Sequence, residues 1–232
     1  MKLPIVILVG GLGKRLGNKV KNTPKPLLKI NKKPFLEIVL NNLIKKGFKK
    51  IILCTGYLGY KIDNLIKKKK FKVKIIVSHD GKKLLGTGGA VKKALKYIDK
   101  NFFLMYGDTF LPISFVKIEN AFLNQTKPVL MTILKNKNNY DKSNVHYYKK
   151  KVIYNKELPS KNMEYIDYGL LIMNKNIFKN LRKKNFPLST LLSNLSLKNL
   201  IYGHKVYKRF YEIGTLQGLN NAKKILKKQN EK

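Results

Sequence analysis

The chain has no tryptophan, one cysteine, and only 12 acidic residues against 50 basic ones. A single cysteine, Cys54, excludes an internal disulfide framework. The three histidines, His79, His146 and His204, fall at no metal-ligand or catalytic-triad spacing, so each reads as structural, as does Cys54 at the end of an apolar strand. Long hydrophobic runs are also missing. The first apolar stretch spans only Pro4 to Val9, and nothing approaches the ~20 residues that a membrane-spanning helix needs. No charged-then-apolar leader opens the chain, so a soluble cytoplasmic protein without membrane insertion is expected.

Arginine is scarce too: all but Arg15, Arg182 and Arg209 of the basic residues are lysine, and the lysines run along the whole chain. A net charge of +38 would ordinarily suggest a polyanion partner. A nucleic-acid footprint clusters on one face and interleaves aromatics, which this even spread does not do, so the charge reads as solvated surface without a nucleic-acid partner. The runs Lys67 to Lys70 and Lys149 to Lys151 read as a helix end and a hairpin tip. In such a lysine-rich background, the guanidinium retained at Arg15 suits bidentate phosphate contact, which an ammonium cannot copy.

What the chain does have is glycine in one place. Val9-Gly10-Gly11-Leu12-Gly13-Lys14-Arg15-Leu16-Gly17 directly follows the Pro4 to Val9 run. Closely spaced glycines free backbone N–H groups to face a ligand, so the stretch reads as a phosphate cradle, with a plain glycine turn as the alternative.

At 232 residues and 44% hydrophobic content, one compact domain is expected, with a first half at 1–112, a second half at 113–215 and a C-terminal helix and tail at 216–232. Apolar spacing predicts strands at Pro4 to Val9, Lys50 to Thr55, Val73 to Ser78 and Phe102 to Met105. Helices are predicted at Pro34 to Lys46, Tyr60 to Lys69 and Gly88 to Ile98. This alternation implies an α/β protein with right-handed crossovers and a mostly parallel sheet covered on both faces, whose ligands bind beyond the carboxyl ends of the strands. In the second half strands are expected to dominate. They fall at Lys127 to Leu134, at the hairpin Val145 to Tyr148 and Val152 to Asn155, and at Glu164 to Asn174, followed by a helix at Leu216 to Lys228.

The glycine loop fits neither common phosphate motif. A dinucleotide fingerprint needs a third glycine at position 16, which is leucine, and Pro24, Pro26 and Pro34 break the segment behind it; a Walker A loop is absent. The loop instead opens into an irregular stretch, Lys19 to Lys33, in which Pro24 and Pro26 pin the backbone around Lys25.

With Gly10-Gly11-Leu12-Gly13-Lys14-Arg15-Leu16, Pro24-Lys25-Pro26-Leu27, Leu85-Gly86-Thr87-Gly88-Gly89-Ala90, Gly107-Asp108-Thr109 and Phe210-Tyr211-Glu212-Ile213-Gly214-Thr215 in this order, the chain resembles the sugar-1-phosphate nucleotidyltransferases. The resemblance covers nearly the whole length and is strongest to the branch of D-glycero-D-manno-heptose 1-phosphate guanylyltransferases. It implies a Rossmann-like, mixed and mostly parallel sheet of the GT-A-like nucleotidyltransferase type. It also implies a monofunctional enzyme that joins a sugar 1-phosphate to an NTP, releasing pyrophosphate with Mg²⁺. GTP is expected first and UTP second, and a homo-oligomer is left open. A uridylyltransferase, a phosphocholine-type cytidylyltransferase and a catalytically weak nucleotide-sugar-binding regulatory protein are the alternatives on the same fold.

The resemblance also assigns roles, making 1–112 the nucleotide-binding half and 113–215 the sugar-phosphate-binding half. Leu8, Gly10, Gly11, Gly13, Lys14, Arg15, Thr87, Gly88 and Gly107 would hold the nucleotide, with Lys14 and Arg15 on the leaving pyrophosphate. Arg15, Lys25 and Asp108 would be catalytic, Lys25 bridging the α-phosphate and the sugar phosphate. Lys156, Asp167, Tyr168 and Gly169 would line the sugar-phosphate site together with Lys25, and Asp108 and Glu212 would bind the metal. Two departures stand out: Glu212 replaces the family's usual aspartate, and Tyr106 stands where asparagine is frequent.

Overall fold

The structure is a computed structural model that describes residues 1–13, 16, 17, 20–149 and 151–230. In chain order it runs β1 (Ile5–Leu8), the short pair β2 (Lys29–Ile30) and β3 (Lys33–Pro34), α1 (Phe35–Lys45), β4 (Lys50–Thr55), α2 (Gly59–Lys69) and β5 (Lys74–His79). Next come α3 (Gly86–Ala94), β6 (Asn101–Tyr106), β7 (Thr109–Phe110), α4 (Phe115–Leu123) and β8 (Val129–Lys135). The remainder is β9 (Val145–Tyr148), β10 (Lys151–Tyr154), β11 (Tyr165–Asn174), α5 (Leu188–Leu197), β12 (Ile201–Val206), β13 (Tyr211–Glu212) and α6 (Leu216–Asn230).

Nine strands share one sheet in the order β10-β9-β11-β6-β1-β4-β5, with β8 on β11 and β12 on β8. Strands β6, β1, β4 and β5 are parallel, and β11 enters antiparallel beside β6. This is the mixed, mostly parallel α/β sheet expected from the sequence, and β11 places strands from both sides of residue 112 in one sheet. Alternation along β1 divides the core: Ile5 and Ile7 face a cluster built with α1, α2, α4 and α6, whereas Val6 faces one built with α3 and α5. Phe48, Phe103 and Phe115 meet edge-to-face at 5.2–5.9 Å under the first cluster.

Strands β8 to β13 dominate the second half as expected, and α4 and α5 are added to them. Ser114 caps α4, accepting a hydrogen bond from Lys117 N–H at 3.4 Å, and Phe115, Ile118 and Phe122 place its apolar stripe inward. In α5, Leu188, Leu191, Leu192 and Leu195 do the same. The structure corrects two sequence expectations. The segment Lys19 to Lys33 is less irregular than expected. Lys25–Leu27 forms a 3-10 turn, and β2 and β3 close a tight hairpin over Asn31 and Lys32, whose φ values of 47° and 71° suit its reversed twist. Pro34 caps α1 rather than opening it, and α3 starts at Gly86, two residues before its expected start at Gly88.

Candidate functional site

At the carboxyl ends of β1, β4 and β6 lies a cavity of about 420 Å³. The position follows from the topology, since parallel strands end there with their crossover helices pulled to either side. The glycine loop forms one wall. Val9 N–H donates to Cys54 O at 2.9 Å and Tyr57 N–H to Gly10 O at 3.3 Å, which ties the start of the loop to β4 and the turn behind it. Gly13, at φ +66°, then turns the chain where a side chain would be strained.

The charged end of the cavity is built from two distant segments. Leu27 N–H donates to Pro24 O at 2.8 Å and Leu28 N–H to Lys25 O at 3.1 Å, so the proline-flanked turn fixes the backbone from which the Lys25 side chain springs. The Lys25 ammonium Nζ donates to Asp108 Oδ2, and Thr109 Oγ1–H donates to Asp108 Oδ1 at 3.2 Å. Both Lys25 and Asp108 are largely buried, so their pairing occurs in a medium that screens charge less than water does.

Beyond Asp108, Tyr106 also lines the cavity, and the Lys156 Nζ stands 5.8 Å from its ring centre. Burial pushes the Asp167 carboxyl above the ordinary carboxylate range, opposed by the Gly169 N–H that donates to Oδ1 at 2.9 Å and by the charge of Lys156. Burial likewise raises the Tyr106 phenol, and the negative charges of Asp167 and Asp108 raise it further. Lys156, Asp167 and Tyr106 thus form one electrostatic group beside the Lys25–Asp108 pair.

The other expected residues are distributed unevenly. Leu8, Gly10, Gly11, Gly13 and Thr87 line the cavity. Thr87 also has a scaffold role, its Oγ1 accepting Leu188 N–H at 2.8 Å at the start of α5. Gly107 N–H donates to Leu8 O at 2.9 Å. Gly88 does not line the cavity: a Cβ there would come within 2.3 Å of Phe186 Cε2, so its smallness admits the Phe186 ring and not a ligand. Tyr168 faces the opposite side of β11, buried against Phe210 with ring centres 5.6 Å apart, so its side chain does not join Asp167. Lys14 and Arg15 lie outside the described residues.

Glu212 is close to Asp108 along the backbone but does not line the same cavity. It pairs across β13 with Thr109 and lines a separate polar pocket of about 100 Å³ with Arg209 and Tyr140. Its Oε1 accepts Thr215 Oγ1–H at 3.4 Å. Among the described residues no group of three or more His, Cys, Asp or Glu could hold a metal. A caged transition-metal centre is therefore not formed there. Magnesium asks for less: one or two carboxylates, with phosphate oxygens and water completing the shell, and the hard oxygens of Asp108 fit that role.

Sequence reasoning did not select Asp80, Leu84, Cys54 or Ala90, which line the end of the cavity away from Lys25. The usable signal for Asp80 was its place directly after β5, at a parallel strand's carboxyl end. Burial raises the Cys54 thiol to about 12, with the charge of Asp80 adding to it, so this thiol is inert wall and not a nucleophile. Among the described residues no helix is long and apolar enough to cross a membrane.

Comparisons with known proteins agree with this architecture. The family model described as nucleotidyl transferase matches residues 5–228. The chain is 37% identical over 175 residues to a D-glycero-alpha-D-manno-heptose 1-phosphate guanylyltransferase of Campylobacter jejuni, covering 75% of this chain and 76% of that one. A protein of the same description from Aneurinibacillus thermoaerophilus is 32% identical over 225 residues, covering 95% and 97%. Among solved structures, HddC from Yersinia pseudotuberculosis, complexed with GMP-PN, superposes with a TM-score of 0.79 at 25% identity, covering 97% of this chain and 99% of that one.

Proposed function

Because the chain belongs to the nucleotidyl transferase family, we propose that it joins a heptose 1-phosphate to GTP, forming a GDP-heptose and pyrophosphate. The observation that carries the reading is the Lys25–Asp108 pair, held partly buried at the end of a cavity roofed by the glycine loop. The base and sugar follow the Campylobacter jejuni and Aneurinibacillus thermoaerophilus relatives, each described as a D-glycero-alpha-D-manno-heptose 1-phosphate guanylyltransferase.

An oxygen of the sugar 1-phosphate forms a bond to the α-phosphorus of GTP. The bond from that phosphorus to the bridging oxygen breaks, and its electron pair leaves with pyrophosphate. The nucleophile is already anionic, so no side chain has to take a proton, and the task is alignment and charge neutralisation. Lys25 does this between the α-phosphate and the incoming phosphate, because its ammonium exchanges one oxygen anion, Asp108, for others. Lys156 meets the sugar phosphate, and Asp167 accepts hydrogen bonds from sugar hydroxyls on the same side. Lys14 and Arg15 clamp the departing pyrophosphate. Asp108 would hold Mg²⁺, with Glu212 as the second carboxylate from the adjoining strand; bound there, the ion would withdraw charge from the phosphate oxygens.

The test is pyrophosphate release with Mg²⁺, GTP and D-glycero-α-D-manno-heptose 1-phosphate, beside a panel of other NTPs and sugar 1-phosphates. Turnover with GTP and the heptose phosphate is expected. No turnover with any pair would sink the enzyme assignment, and turnover with UTP or CTP alone would move it to another base.

A further inference from the structure

Lys25 and Lys156, the two lysines that meet the sugar phosphate in the reaction above, are held in opposite ways. The Lys25 ammonium is paired with the Asp108 carboxylate, so it has to exchange one anion for another before it serves a phosphate. Lys156 makes no hydrogen bond and no ion pair among the described residues. Its direct neighbour there is the face of a ring, with Nζ standing 5.8 Å from the centre of Tyr106. The charge of Asp167 acts on Lys156 through space.

Both sides of this contact are set by backbone. Asn155 N–H donates to Asn144 O at 3.0 Å, Leu158 N–H to Asn155 Oδ1 at 2.9 Å, and Glu157 Oε1 accepts Ser189 Oγ–H at 3.1 Å, so the chain around Lys156 is anchored. Tyr106 is the last residue of β6, in register with Leu8 on β1, and it lines the cavity. A Cβ built on Gly169, at φ +87°, would lie 3.4 Å from Tyr106 Cδ2, so the ring runs along the stretch of β11 where the register shifts. What the backbone leaves open is the four-carbon stem of Lys156, which loses rotamer freedom when a ligand fixes it.

A ring face restrains that stem without putting an anion in the phosphate's way. Its negative quadrupole attracts the charge of the ammonium as a whole and supplies no oxygen that a phosphate must displace. Asparagine, frequent at this position in the family, has no such face, and its amide oxygen would compete with phosphate for the same N–H groups. We propose that Tyr106 is a positioning residue for the sugar phosphate, its ring holding the Lys156 ammonium beside the cavity with its donors free. The inference rests on the reading of Lys156 as the sugar-phosphate lysine and goes beyond it, giving a function to the residue in which this chain departs from the family pattern.

The test is steady-state kinetics with GTP, Mg²⁺ and D-glycero-α-D-manno-heptose 1-phosphate. Tyr106→Leu should raise the KM for the sugar phosphate about fivefold. Its kcat and its KM for GTP should stay within about twofold of wild type, because what is lost is positioning in the ground state and the transition state alike. Tyr106→Phe keeps the ring and should restore the wild-type KM. Lys156→Ala should raise the same KM further, and adding Tyr106→Leu to it should change nothing more, since the ring acts only through the lysine. A Tyr106→Phe variant as impaired as Tyr106→Leu would make the hydroxyl the active group and overturn the inference. Additive effects in the double variant, or a loss spread equally over kcat and both KM values, overturn it too. Should Tyr106→Leu not fold, progressively fluorinated phenylalanines at position 106 keep the ring's shape while draining its negative face; the KM should climb along that series, and a flat series counts against the ring. If the wild type releases pyrophosphate with no sugar 1-phosphate, the functional reading itself fails, whereas turnover with an additive cycle removes only the role of Tyr106.

Discussion

Asp108, directly before β7, and Glu212, on its partner β13, stand one register step apart, yet they occupy different surroundings. Glu212 pairs with Thr109, and Ile213 N–H donates to Asp108 O at 2.9 Å, so the two carboxylates share a backbone frame. Asp108 opens on the nucleotide-sized cavity with Lys25 on one oxygen, whereas Glu212 lines the small pocket beside Arg209 and receives Thr215 Oγ1–H. The difference concerns the groups beside each carboxylate. Lys25 sits on a flexible four-carbon stem and can follow phosphate oxygens. The Thr215 contact belongs to the turn into α6, where Gly218 N–H also donates to Thr215 Oγ1 at 3.0 Å, and it anchors backbone. Asp108 opens on the cavity beside a lysine that can change partners, and Glu212 sits beside the turn into α6.

The largest effect should follow from Asp108→Asn. This isosteric change removes the charge that pairs with Lys25 and the hard oxygen available to Mg²⁺, and kcat should fall by about a thousandfold, with the KM for GTP changing little. A near-wild-type rate in the pyrophosphate assay would erase the contrast. Lys25→Ala comes next, with a loss of about a hundredfold in kcat. Calorimetric GTP binding should weaken far less, because the lysine acts on charge as it redistributes during transfer. Equal losses in binding and turnover would make Lys25 a general nucleotide anchor.

Glu212→Gln sharpens the comparison from the other side. As the second metal carboxylate, Glu212 should raise the Mg²⁺ concentration needed for half-maximal activity when neutralised, with kcat down by about tenfold at saturating metal. Glu212→Asp should restore the magnesium dependence. A lower melting temperature with unchanged magnesium dependence would make Glu212 a turn anchor alone.

The same contrast explains what the sequence disclosed. The parallel half was legible because buried strands read as continuous apolar runs: Lys50 to Thr55 coincides with β4, and Pro4 to Val9 contains β1. Lys25 was legible because two prolines restrict the backbone around it, and a restrained lysine needs a reason. The orientation of Tyr168 and Gly88 was not, since a residue beside the right motif can still face the far side of its strand or helix. The register shift in β11 between Asp167 and Leu171 is set by pairing with β8, a long-range contact that local pattern does not encode. Asp80 was missed because it lies in no glycine or proline signature, and only the fold brings the end of β5 beside the glycine loop.

Asp167 tests the contrast from outside the strand pair, and it should give the smallest effect on the fold. Like Asp108 it faces a lysine, Lys156, but burial dominates and holds its carboxyl above 3.8. A raised carboxyl binds its proton more tightly folded than unfolded, so ionisation above pH 3.8 opposes folding, and the penalty grows until the folded group has lost its proton as well. Asp167→Asn removes that penalty while retaining an oxygen to accept Gly169 N–H. Its melting temperature should therefore exceed that of the wild type by about 2–4 °C at pH 7, with the gap closing as the pH falls below 3.8. The same variant should lose activity toward the heptose phosphate, because a carboxylate kept at a cost to stability accepts sugar hydroxyls that an amide serves less well. Calorimetric melts from pH 3 to pH 8, with the KM for sugar phosphate at pH 7, decide it. Lower stability at neutral pH would show that Lys156 outweighs burial and would place Asp167 with Asp108, as a charge compensated by a lysine that substrate can claim.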